Sequence, residues 1–169
     1  MASNRPKPTK AAAARAGDDE RRAELADLVL IIAREIQFRG YTDERAVPLS
    51  QSEGMVMRYL QRDRAAAPSR IADATGLQRT NLSTVLRGLE RKGLIERRAY
   101  PEDGRGVTVH LTDHGTSNYE LVRQEWGTAV SEAAGNDTNN LDAALGLLTA
   151  VETGLTSTRP ATPDSRPAP

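Results

Sequence analysis

Residues 69–115, SRIADATGLQRTNLSTVLRGLERKGLIERRAYPEDGRGVTVHLTDHG, constrain this chain more than any other stretch. Ser69 opens a compact helix whose Ile71 and Ala72 point inward, and Gly76 ends it. Leu77 plugs the corner, and a second helix runs over residues 79–92 until Gly93 stops it. Two amphipathic helices joined by a turn of about three residues containing Gly make a helix-turn-helix. Residues 94–100 and 107–111 then alternate as two strands, with Val107, Val109 and Leu111 on one face. The intervening PEDGRG is too long for a tight two-residue hairpin, so the ribbon projects a loop.

The second helix carries the chemistry. Leu82, Val85, Leu86 and Leu89 follow helical spacing and form its buried face. The opposite face presents Thr80, Thr84, Arg87 and Arg91, with Asn81 and Ser83 on the flanks and Arg79 at the start. Residues 78–89 contain no carboxylate. A solvated helix face usually mixes both signs. A face of small polar residues, Asn and Arg suits a major groove, where side chains approach closely and read base edges. Arg97 and Arg98 sit at the ribbon base, within reach of phosphate. At its tip Arg105 is placed to enter a minor groove, with Asp103 holding its guanidinium by a charge-assisted pair.

Charge distribution supports this reading better than net charge, which is zero. Residues 55–106 hold 11 Lys and Arg against 6 Asp and Glu, residues 107–158 hold 1 against 7, and residues 18–54 hold 5 against 9. A basic centre between acidic flanks fits one lobe facing phosphate and another facing away.

The flanks read as helices. In residues 18–38, Leu25, Leu28, Val29, Ile32 and Ile36 make one stripe, while Leu30 and Ile31 lie off it, so this helix is apolar on more than one side. Asp18, Asp19 and Glu20 suit the positive end of its dipole, and Gly40 its stop. The next helix starts at Ser50, with Glu53 completing a capping box and Val56, Tyr59 and Leu60 facing inward. Met55 and Met57 suit either the core or an adaptable ligand cavity. Thr112 caps a helix to residue 134 with Tyr119, Val122, Trp126 and Val130 in register. GNDTNN breaks it, and Leu141, Leu145, Leu148 and Val151 mark a last helix to residue 155. Residues 1–17 form a basic tail and residues 156–169 a Pro-rich one, both read as disordered.

The order of these elements, with GLIERRAYPEDGRGVTVHLTDHG following NLSTVLRGLERK, resembles the MarR family of winged helix-turn-helix regulators over roughly residues 20–155. The most specific part runs from Leu89 through Gly93, Leu94, Arg97, Asp103, Arg105, Leu111 and Thr112 to Gly115. The resemblance implies a mainly α fold with a small β-ribbon wing (α+β). A winged helix-turn-helix at residues 48–111 would be joined to a helical dimerisation lobe from residues 18–40 and 112–155. It also implies a homodimer on double-stranded, palindromic DNA, usually a repressor, released in many members by a small aromatic or phenolic effector between the lobes. It points to Ile32, Met55, Tyr59 and Trp126 as pocket residues. One departure is Gln78, where a Ser, Thr or Asp cap is common.

Other chemistries find little support. Without cysteine there is no disulfide, thiolate site or Cys nucleophile. His110 and His114, the only histidines, fall at a strand end and a helix start, so no metal or other cofactor is expected. No strained nucleophile turn or Gly-rich phosphate loop suggests catalytic residues. No apolar h-region or membrane-length run is present, which makes the cytoplasm the expected location. Two competing readings remain: a DNA-organising protein without a ligand, and a protein-interaction antagonist that keeps the fold without binding DNA.

Overall fold

The computed structural model describes residues 10–99, 106–135 and 138–159, and divides after Gly40 into two compact units. The first is a single helix, α1 (Lys10–Phe38). It begins well before the expected residue 18, so Asp18, Asp19 and Glu20 lie in its interior and not at its positive end. The run Ala11–Ala14 explains the early start, because alanine has the highest helix propensity. Residues 10–17 are therefore helix and not tail. Residues 1–9 and 160–169, the remainder of both expected tails apart from residues 156–159, lie outside the described residues. Leu28, Val29, Leu30, Ile31 and Ile32 are all exposed along it.

The second unit contains α2 (Gln51–Asp63), β1 (Ala65–Ala66), α3 (Pro68–Thr75), α4 (Arg79–Arg91), β2 (Ile95–Ala99), β3 (Val107–Leu111), α5 (Asp113–Ala133) and α6 (Leu141–Ser157). The expected capping box forms: Ser50 Oγ accepts from Glu53 N–H, and the Glu53 carboxylate accepts from Ser50 N–H. Pro68 is the first residue of α3, where its missing N–H costs nothing. Gln78 makes no side-chain cap, yet α4 forms with Leu82 N–H bonded to Gln78 O.

α4 ends in a Schellman motif. Gly93 sits at φ 69°, its N–H bonds Glu90 O, and Leu94 N–H bonds Leu89 O. Leu89 and Leu94 are both fully buried, closing the motif with an apolar contact. Thr112 then fastens α5 to this corner. Its hydroxyl donates to Gly93 O at 2.7 Å and accepts from Gly115 N–H at 2.9 Å.

The sheet has the order β1-β3-β2, antiparallel throughout. Ile95 pairs with Leu111 at the base, and Ala99 with Val107 toward the tip. Strand β1 carries no sequence signal, since its two residues are alanines; the edge of β3 recruits it, pairing Ala65 with His110 and Ala66 with Val109. Of the three residues assigned to one face of β3, Val109 is buried and Leu111 partly so, while Val107 at the tip end is exposed.

One core holds this unit together. Val56, Met57 and Leu60 of α2 meet Ile71, Leu82, Leu86, Leu89, Leu94, Val109 and Val122. The two methionines separate here, with Met57 fully buried and Met55 exposed. α6 is the exception, for none of its residues is buried.

Candidate nucleic-acid interface

The helix-turn-helix consists of α3, a corner at residues 76–78, and α4. Gly76 adopts φ 71° and its N–H bonds Ala72 O, terminating α3. Leu82, Leu86 and Leu89 anchor α4 on the core, and this fixes which face turns outward. Arg79, Thr80, Asn81, Ser83, Thr84, Arg87 and Arg91 are all exposed on it. Thr84 Oγ1 donates to Thr80 O, and Arg87 donates to Thr84 Oγ1 at 3.2 Å, so the middle of the face is loosely ordered before any ligand arrives. Glu90 is the only acid on α4.

Arg97 and Arg98 differ from the helix residues. Arg97 Nε lies 3.3 Å from Glu90 Oε2, and Arg98 pairs with Glu96. Both guanidiniums are half engaged by neighbouring carboxylates, something their sequence positions did not reveal. Arg79 and Arg97 border a groove of about 360 Å³ between α4, the start of α3 and β2. Asp103 and Arg105, the expected wing pair, lie outside the described residues.

Of the nominated pocket residues, Met55 and Tyr59 line one cleft of about 140 Å³ with Arg58, Arg62, Thr75, Glu152 and Arg159. Asp63 accepts the Tyr59 hydroxyl proton in a hydrogen bond, which raises the phenol above its ordinary value. Trp126 is not among the cleft's lining residues; its indole packs against α2 at Gly54, where an added Cβ would approach Cη2 to 3.2 Å. Ile32 lies half exposed on α1, in the other unit. Arg159, which no sequence motif marks, donates to Ala74 O at 3.1 Å and lies over Gly76. It supplies a cation to the last carbonyls of α3.

The comparisons with known proteins fit this geometry. The profile of the MarR family matches residues 49–107, the span from the start of α2 to the start of β3. Over this span the chain resembles the MarR family. An uncharacterized HTH-type transcriptional regulator of Mycobacterium leprae is 26% identical to it over 107 residues, 62% of this chain and 72% of that protein. Among solved structures, Streptococcus pneumoniae FabT in complex with DNA superposes with a TM-score of 0.60 at 24% identity, covering 86% of this chain and 99% of FabT. Bordetella bronchiseptica BpsR, whose DNA binding is regulated by 6-hydroxynicotinic acid, gives 0.57 at 18%, covering 76% and 98%. These structural likenesses establish the winged helix MarR fold, mostly helical with a small antiparallel sheet. Among the described residues no helix is long and apolar enough to cross a membrane.

Proposed function

We infer that this chain is a sequence-specific transcriptional regulator of the MarR type, a homodimeric repressor on a palindromic operator that a small aromatic or phenolic ligand releases. The observation that carries it is the exposed face of α4, with Arg79, Thr80, Asn81, Ser83, Thr84, Arg87 and Arg91, on a helix whose own sequence holds no acidic residue before Glu90. The FabT–DNA complex supports the DNA half of the reading, and BpsR with its hydroxynicotinic acid supports the ligand half. In this reading α4 enters the major groove. Arg105 is the proposed minor-groove contact, and Arg97 and Arg98 exchange their carboxylate partners for phosphate. Residues 48–111 grip DNA, while residues 18–40 and 112–155 join two copies. The cleft at Met55 and Tyr59 is the candidate effector site.

The test is anisotropy titration of a labelled duplex from the chain's own promoter region. Replacing Asn81 and Arg87 together by Ala should weaken binding at least tenfold, since each lost base contact is worth about 1–3 kcal/mol. Log K should fall steeply with log salt as phosphate contacts release counterions. A double variant that binds as tightly as the native protein would sink the assignment of α4.

A further inference from the structure

The C-terminal end of α4 is tied to the N-terminal end of α2 by one side-chain cluster. Lys92, the C-cap of α4, places its ammonium 2.8 Å from Pro48 O, 2.8 Å from Glu53 Oε1 and 2.7 Å from Glu53 Oε2. Glu53 is 8% exposed, and its carboxylate also accepts the Ser50 N–H of the capping box. Gly88 makes room for it: a Cβ there would lie 3.1 Å from Glu53 Oε1. Glycine inside a helix costs about 1 kcal/mol relative to alanine, and here it leaves space beside α4 for the carboxylate.

We propose that Glu53 and Lys92 are positioning residues for the recognition helix, fixing the angle at which α4 meets DNA without touching it. This rests on the DNA-binding reading above. The apolar contacts of Leu82, Leu86 and Leu89 are non-directional and tolerate a small roll or tilt of α4. An ion pair whose carboxylate is buried, whose ammonium is partly exposed and whose hydrogen bonds are satisfied is directional and is best understood as fixing register. The leverage is considerable. α4 is 13 residues long, which at 1.5 Å per residue puts its first Cα roughly 18 Å from its last, so a tilt of about 5° about the Lys92 end displaces Arg79 by roughly 1.5 Å. A base-edge hydrogen bond does not survive that displacement. Lys92 extends the basic run Arg87, Arg91, yet its ammonium is directed at α2 and not at the DNA-facing side.

Lys92→Met keeps the aliphatic stem, Glu53→Gln keeps a capping-box residue, and Lys92→Arg keeps the charge. Each is compared with the native protein at a temperature where circular dichroism shows it fully folded, using the tightest duplex selected from random-sequence DNA and, separately, poly(dI-dC). Lys92→Met and Glu53→Gln should lose about tenfold on the selected duplex, the equivalent of one base contact, and less than twofold on poly(dI-dC). Lys92→Arg should recover most of the loss. Equal loss on both DNAs, with the salt slope reduced by about one, would mean that Lys92 contacts phosphate and would overturn the proposal. So would unchanged affinity in the folded variants. Amide exchange in the last turn of α4 is an arm that needs no DNA. It should quicken in Lys92→Met, and unchanged exchange refutes the lock even if the native protein selects no sequence, a result that would count against the DNA reading instead.

Discussion

Arg64 ends α2 with φ 56° and ψ −37°, the one non-glycine residue at positive φ among those described. Its N–H bonds Leu60 O at 2.8 Å, so the conformation closes the last turn of α2 before β1 begins. A side chain at positive φ brings Cβ against the following carbonyl and costs about 1–2 kcal/mol. Gly76 and Gly93 also take positive φ, without that cost, and both were legible in the sequence because glycine advertises such a position. Arg64 was not legible, since nothing about an arginine between two helices signals an unusual φ. Part of the relief in an Arg64→Gly variant is offset by the greater freedom of glycine in the unfolded chain. The net expectation is a gain of about 0.5–1 kcal/mol, read as a higher urea midpoint at unchanged slope. A lower midpoint would mean that the arginine side chain contributes more than the strain it causes.

Among the elements, the loop between α1 and α2 is the least regular and among the most firmly held. Glu125 of α5 accepts the backbone N–H groups of Thr42 and Asp43 at 2.9 and 3.1 Å, together with the Thr42 hydroxyl. Seven residues earlier on the same helix, buried Asn118 exchanges two hydrogen bonds with the backbone of Val47. The sequence showed the stripe of α5 but neither clasp, because both partners are backbone groups of a segment without periodicity; β1 escaped notice for the same reason. The Thr42 N–H and hydroxyl, with the Asp43 N–H, hold the Glu125 carboxyl below its ordinary value. Beside it, the Arg45 guanidinium lowers Asp43 to about 2. Both carboxyls are depressed in the fold, so their contribution is present above the unfolded values, about 4.3 for Glu and 3.9 for Asp. It is lost as pH falls through the folded ones. Glu125→Gln should therefore flatten the acid limb of a thermal-stability profile below about pH 4.5 while changing little at neutral pH beyond a constant offset. An acid limb identical to the native one would place the acid sensitivity elsewhere.

At the level of the whole molecule, the apolar surface left uncovered is the strongest argument about assembly. Leu141, Leu145 and Leu148 follow one another at i, i+4 and i+7 on α6, with Val151 and Leu155 continuing toward its end, and all are exposed. On α1 the run Leu28 to Ile32 is exposed as well. Soluble monomers rarely present contiguous apolar surface of this kind, which marks an interaction site. The stripes were readable from periodicity alone, whereas what covers them was not, since a stripe reports only that something must. Under the proposed function a second copy of the chain would be the occupant, and it would also answer the DNA geometry. Two recognition helices on a two-fold axis would meet half-sites about 10 bp apart, one helical turn. The acidic excess of residues 107–158 against the basic excess of residues 55–106 keeps such a joint away from phosphate. Sedimentation equilibrium should accordingly report the mass of two chains at micromolar concentration. Changing Leu145 and Leu148 together to Glu places charges on that surface, and the sedimenting species should shift to one chain with the circular dichroism of the residue 41–135 core largely kept. The same variant should lose binding to a duplex carrying both half-sites far more than to one carrying a single half-site, because only the former uses two linked grips. A variant that stays dimeric would move the joint away from α6; one that turns monomeric yet binds both duplexes like the native protein would separate dimerisation from DNA recognition altogether.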